Sequence, residues 1–185
     1  MNIPNCIMSN LPPISSLPSL AAEERASVLD LLFEPSVRLH TLSVELLGNQ
    51  TFTSYNDLIA AVGVQLTELS ESSSASDTKW LESILGSHPR LGAKKVESAQ
   101  SQAEQAQLNT GGEEEAQKLR ELNEKYEKTY PGLRYVVFVN GRSRPVIMED
   151  MKRRIAAGDI AAERAAAIKA MCEIAADRAG KLQKA

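Results

Sequence analysis

One run in this sequence reads as a strand: Tyr135-Val136-Val137-Phe138-Val139. β-Branched and aromatic residues favour a pleated backbone. A lone strand, however, has no neighbour to satisfy its N–H and C=O groups, and a stable sheet needs several strands. Elsewhere the apolar residues recur at helical spacing. Leu58, Val62, Leu66 and Leu69 step by four, four and three, which puts them on one helical face. The expected fold class is therefore all-α, with 135–139 a buried extended segment between helices.

The helix boundaries follow from caps and breakers. Ser19 is placed to cap a first helix running to Phe33. Pro35-Ser36 interrupts the pattern and recaps a second, from Val37 to Leu47, which stops at Gly48-Asn49. Ser54 to Asp57 has capping-box spacing and opens a third. Ser70 to Ser76 reads as a loop. Asp77 is placed to cap a short helix carrying Trp80, Leu81, Ile84 and Leu85. That helix ends at Gly86-Ser87-His88-Pro89, because a residue before proline avoids the helical basin. Residues 93–109 are polar and Gln-rich, and no periodicity places them. Glu113 to Tyr130 is a helix stopped by Pro131-Gly132, Asn140-Gly141 turns the chain, and a helix from Pro145 to Ala157 ends at Gly158. Asp159 caps a last helix to about Leu182. Four of the eight prolines fall in residues 1–18, so that stretch is expected to be a flexible extended arm, ahead of one helical domain over 19–183.

Composition excludes several classes. Basic residues number 21 against 24 acidic, a balance without the electrostatic footprint of a nucleic-acid binder. Aromatics are 4%, too few for a base-stacking platform. Two cysteines, Cys6 and Cys172, and two histidines cannot build a disulfide framework or a zinc site of the usual spacing. No apolar run approaches the ~20 residues of a membrane span. No secretory leader or Ser-Lys-Leu ending is visible, so an intracellular setting is expected.

Few residues carry chemistry. His40 lies mid-helix beside Leu39 and Leu42 and reads as a packed or surface histidine. His88 sits where a helix stops, backed by Pro89. It suits proton transfer near neutral pH, or simply the dipole of a helix end. Met171, Ile174, Arg178 and Leu182 step by three, four and four, so Arg178 lies on an apolar stripe. It must either snorkel or meet an anion. Glu104 is one polar residue in a polar segment. Asn140-Gly141-Arg142-Ser143-Arg144 could hold an anion before a helix N-terminus or be a solvated loop. Lys94-Lys95 and Arg153-Arg154 are expected on solvated faces.

The chain resembles the 2-oxo-4-hydroxy-4-carboxy-5-ureidoimidazoline (OHCU) decarboxylases of urate degradation, fungal members most of all. The marks are His88-Pro89-Arg90-Leu91-Gly92, Ser101-x-x-Glu104-Gln105, Leu122-Asn123-x-x-Tyr126, Phe138-Val139-Asn140-Gly141-Arg142-Ser143 and Cys172-Glu173-Ile174-Ala175-Ala176-Asp177-Arg178. The resemblance implies an all-α homodimer, peroxisomal or cytoplasmic, without metal or cofactor, that converts OHCU to (S)-allantoin. It places catalysis on His88, Glu104 and Arg178, sharing one cavity. It gives substrate binding to Pro89, to Ser101, Gln102, Ala103 and Gln105, and to Tyr135, Val136, Val137, Phe138 and Val139. Backbone groups of that last run, lacking a sheet, are expected to bond the substrate's ring amides. The chain departs from the pattern in a shorter interval between His88 and Glu104 and in Asn140, where many bacterial members carry arginine. The alternative is a non-catalytic helical homologue, either a scaffold or a small-ligand-binding protein.

Overall fold

The computed structural model describes residues 10–93, 98–106, 108 and 111–183. Among these there is no strand. A 3-10 turn, Ile14–Ser19, precedes α1 (Ala22–Leu32), α2 (Val37–Asn49), α3 (Tyr55–Glu71), α4 (Ala75–Leu85), α5 (Ala99–Ala106), α6 (Glu113–Thr129), α7 (Arg144–Ala157) and α8 (Ile160–Leu182). The elements sort into two compact units. The first holds the chain up to residue 65 and from 172 onward, and the second holds 66–171.

In the first unit α1 packs on α2, and α2 on the 3-10 turn. Val28, Leu29 and Leu32 of α1, Leu39 and Leu47 of α2, and Leu17 are fully buried or nearly so. Each such side chain contributes about 1.5–3 kcal/mol by leaving water. Ser36 caps α2 as expected, its Oγ accepting from the Leu39 N–H at 3.2 Å. Ser19 does not cap α1. Its hydroxyl donates to the Ser16 carbonyl at 2.7 Å, and the helix instead starts after Ala21, whose N–H donates to the Glu24 carboxylate at 2.8 Å.

The proline-rich stretch is not extended throughout. Residues 14–19 coil into the 3-10 turn and seat Leu17 in the core. The Tyr55 hydroxyl donates to the Pro12 carbonyl at 2.8 Å, and burial pushes that phenol up to about 12. Residues 1–9 of the expected arm lie outside the described residues. His40 meets Asp30 at 2.6 Å, a link between α2 and α1, as its packed or surface reading suggested.

In the second unit α6 packs on α7. Leu81, Ile84, Leu85, Leu119, Tyr126, Ile147, Met151 and Ala167 form its core. α4 is capped by Ser74 rather than Asp77. It starts earlier, so Asp77 falls in the first turn, donates its N–H to Ser74 Oγ at 3.4 Å and accepts from Ser72 Oγ at 2.5 Å. α5 forms in the segment that carried no periodic signal. Its buried residues are Ser101 and Gln105, so its inward edge is polar and leaves no apolar pattern to read. Residues 135–139 form neither helix nor strand. They run into a turn at Asn140 and Gly141, with φ of +47° and +72°, closed by the Arg142 N–H on the Val139 carbonyl at 3.0 Å. Positive φ at both central residues is the turn geometry that Asn-Gly favours. No helix among the described residues is long and apolar enough to cross a membrane.

Candidate active site

His88 follows the end of α4 and is buried, at 6% exposure. The turn His88–Gly92 has no helix or sheet to satisfy its backbone, so side chains from elsewhere in the second unit do so. Arg134 Nη1 donates to the His88 carbonyl at 3.2 Å. Gln105 Nε2 donates to the Arg90 carbonyl at 3.2 Å, while its Oε1 accepts the Gly92 N–H at 2.9 Å. The buried Asn123 Nδ2 donates to the Leu91 carbonyl at 3.0 Å. Arg90 itself forms a two-pronged pair with Glu127, at 2.7 and 2.5 Å, which raises the guanidinium pKa. Gly92 is required twice over. Its φ is +76°, and a Cβ there would lie 2.7 Å from Leu119 Cδ2.

The marked segment around Glu104 is α5. It turns Ser101 and Gln105 inward, leaves Gln102 and Ala103 exposed, and holds Glu104 half-buried. The amide of Gln105 bonds the backbone of the His88 turn. Pro89 is half-buried. Lys94 and Lys95 lie outside the described residues.

Tyr135 and Val136 are buried, and Val137, Phe138 and Val139 half-buried. Three of their five carbonyls are taken by arginines. Arg154 Nη1 donates to the Val136 carbonyl at 3.2 Å. Arg142 Nε donates to the Val139 carbonyl at 3.1 Å and its Nη2 to the Phe138 carbonyl. Arg142 is thus turned onto the backbone rather than held out for an anion, because the turn at 140–141 folds it back. The N–H groups of 135–139 donate to no acceptor among the described residues.

Arg154, expected on a solvated face, is the centre of a buried network, at 13% side-chain exposure. Its guanidinium donates to Glu163 at 2.8–3.0 Å and lies 4.6 Å over the Tyr135 ring. Tyr126 donates to Glu163 at 2.6 Å, Tyr135 to Asp150 at 2.5 Å, and Tyr130 to the Arg154 carbonyl at 2.5 Å. Burial and the neighbouring carboxylates raise both the Tyr126 and the Tyr135 pKa. Burial opposes the charge on Arg154, but the bonds to Glu163 outweigh it and its pKa rises. Its neighbour Arg153 is exposed, as expected. The helical spacing did hold the signal: Ile147, Met151 and Arg154 step by four and three, as Arg178 does with its own stripe.

Arg178 belongs to the first unit. It is 2% exposed and pairs with Glu34, also buried, at 2.8 Å. Of the two readings of an arginine on an apolar stripe, the anion holds, and the protein supplies it. Glu34, at the end of the run Leu31-Leu32-Phe33, was not singled out in the sequence.

Two surface grooves line α7, of about 520 and 570 Å³, and neither is lined by His88 or Glu104. Among the described residues no group of three or more His, Cys, Asp or Glu is placed to hold a metal ion. A family model described as OHCU decarboxylase matches residues 18–180. No curated protein matches the chain significantly.

Proposed function

The chain belongs to the OHCU decarboxylase family, cofactor-independent carboxy-lyases of urate degradation, and from that premise we propose that His88, Glu104 and Arg178 carry its chemistry. Loss of CO2 leaves an electron pair on carbon, and the substrate's own C=N group, next to the carboxylated carbon, accepts it. The ring nitrogen takes up a proton, so no external electron sink is needed. His88 then removes the hydroxyl proton as the carbonyl forms and returns a proton to the neighbouring ring carbon. Delivery from one fixed imidazole makes one enantiomer, (S)-allantoin. Glu104 orients His88 and accepts from ring or ureido N–H groups. Arg178, its charge shared with Glu34, holds the substrate's anionic group. Pro89, Ser101, Gln102, Ala103 and the run Tyr135 to Val139 border the substrate. Gln105 borders the substrate with them and also positions the His88 turn through its amide. The proposal includes a homodimer working in the peroxisome or cytoplasm.

The observation that carries this reading is the immobilised turn at His88. Arg134, Gln105 and Asn123 hold it at the backbone, and the Arg90–Glu127 pair ties it by a side chain. A general acid/base needs such fixed support, since a small displacement of the reacting group removes much of its advantage. Freshly prepared OHCU tests the proposal, with allantoin chirality followed by circular dichroism. The protein is expected to speed decay and give one hand, and His88→Asn to fold normally while losing roughly 10²–10⁴-fold in turnover. Slow racemic decay with the wild-type protein, or full turnover by the variant, refutes it.

A further inference from the structure

Glu34 stands in the short linker between α1 and α2. Phe33 before it closes α1, its N–H donating to the Leu29 carbonyl at 2.8 Å. Pro35 after it restricts Glu34 to extended backbone, and Ser36 caps α2. The Glu34 side chain therefore starts from a stiff point. Its Oε1 accepts from Arg178 Nη2 at 2.8 Å, within the first unit. The two side chains are 5% and 2% exposed. Met171, Ile174, Ala175 and Ala179, which share the Arg178 face of α8, are buried as well. The neighbouring carboxylate, Asp177, is turned to Lys181 at 2.5 Å. In such surroundings solvent and salt screen the Glu34 and Arg178 charges only weakly.

In the decarboxylation the negative charge starts on the substrate's carboxylate and ends in the ring, and CO2 carries none away. A guanidinium acting alone would hold that carboxylate harder before the bond breaks than while it breaks. Binding of this kind lowers KM and kcat together. A second carboxylate, already bonded to the guanidinium, opposes it. Its repulsion of the substrate's carboxylate is relieved as the charge moves into the ring. Resting on the decarboxylase reading, we infer that Glu34 is a positioning residue for Arg178. It fixes one edge of the guanidinium and shares its charge, so the substrate's carboxylate is oriented without being held back from leaving.

The test uses the full chain with OHCU as substrate. Glu34→Gln keeps an oxygen acceptor for Arg178 and removes the charge. KM and kcat are both expected to fall about tenfold, the scale of one charged hydrogen bond, with kcat/KM nearly unchanged. Glu34→Asp keeps the charge but draws it back by one methylene, and its KM is expected to rise instead. A merely structural role would lower the melting temperature of both variants without moving KM in opposite directions. An unchanged or raised KM in folded Glu34→Gln, or a lowered KM with unchanged kcat, overturns the inference. So does a KM that moves the same way in both variants. The wild-type protein gives a further measure that does not depend on any variant folding. Allantoin lacks the carboxylate, so its inhibition constant is expected within about tenfold of KM. A wider gap, as an unshared charge-assisted contact gives, overturns the inference. Each of these results leaves the decarboxylase reading standing, because wild-type turnover is present in all of them. Absence of wild-type turnover overturns the two together.

Discussion

Gln105 donates to one carbonyl and accepts one N–H of the same turn, thirteen to fifteen residues away. Truncation to alanine strands the Gly92 N–H in a part-buried place, at a cost of about 1–3 kcal/mol, and leaves the Arg90 carbonyl with the Ala93 N–H alone, at 3.1 Å. Gln105→Ala is therefore expected to lower the urea midpoint and to reduce kcat, because the backbone under His88 loosens. Gln105→Glu keeps the acceptor and loses the donor, so it should fall between. Equal kcat in all three proteins would show that the turn is held without this amide. The role was not legible beforehand. A glutamine in a polar run looks alike whether it faces a ligand, solvent or a backbone. Arg154 is a different case. Its spacing from Ile147 and Met151 marked it, but adjacency to the exposed Arg153 suggested a shared solvated face, whereas neighbouring helix positions point about 100° apart.

At the scale of elements, periodicity located the long helices and misjudged where two of them start. Ser36 was correctly placed as the α2 cap, since Pro35 leaves little choice for the entry. Ser36→Ala should cost about 0.5–2 kcal/mol, read as a lower denaturant midpoint with unchanged slope; an unaltered midpoint would mean the cap contributes nothing. Ser19 and Asp77 had the right chemistry for caps. They were displaced because Glu24 and Ser74 serve positions nearer the true starts. α5 escaped notice because its inward positions are Ser101 and Gln105, and a helix that buries polar atoms shows no apolar stripe. The extended segment was legible as unpaired by strands. Its dependence on Arg142 and Arg154 was not, since contacts to backbone carbonyls leave no trace in residue type.

At the scale of the molecule, each unit encloses an arginine–carboxylate pair in its interior: Glu34–Arg178 in the first and Arg154–Glu163 in the second. Such pairs are costly to break and cheap to replace. Arg178→Met alone is expected to destabilise the protein by about 3–5 kcal/mol, because Glu34 is then buried without its partner. Adding Glu34→Leu should restore most of that loss in denaturant melts, while activity stays absent in both. If the double variant is no more stable than the single, the pair is worth more than packing can replace.

The order of the chain through the two units has its own consequence. The second unit is one continuous stretch, 66–171, whereas the first is assembled from the opening 65 residues and the last few turns of α8. On the ribosome, the early segment must therefore wait through the whole synthesis of the other unit before its missing piece emerges. Arg178 is translated only after the whole of the second unit, so Glu34 meets this counter-charge late, and nascent chains stalled between residues 171 and 178 would carry one finished unit and one unfinished.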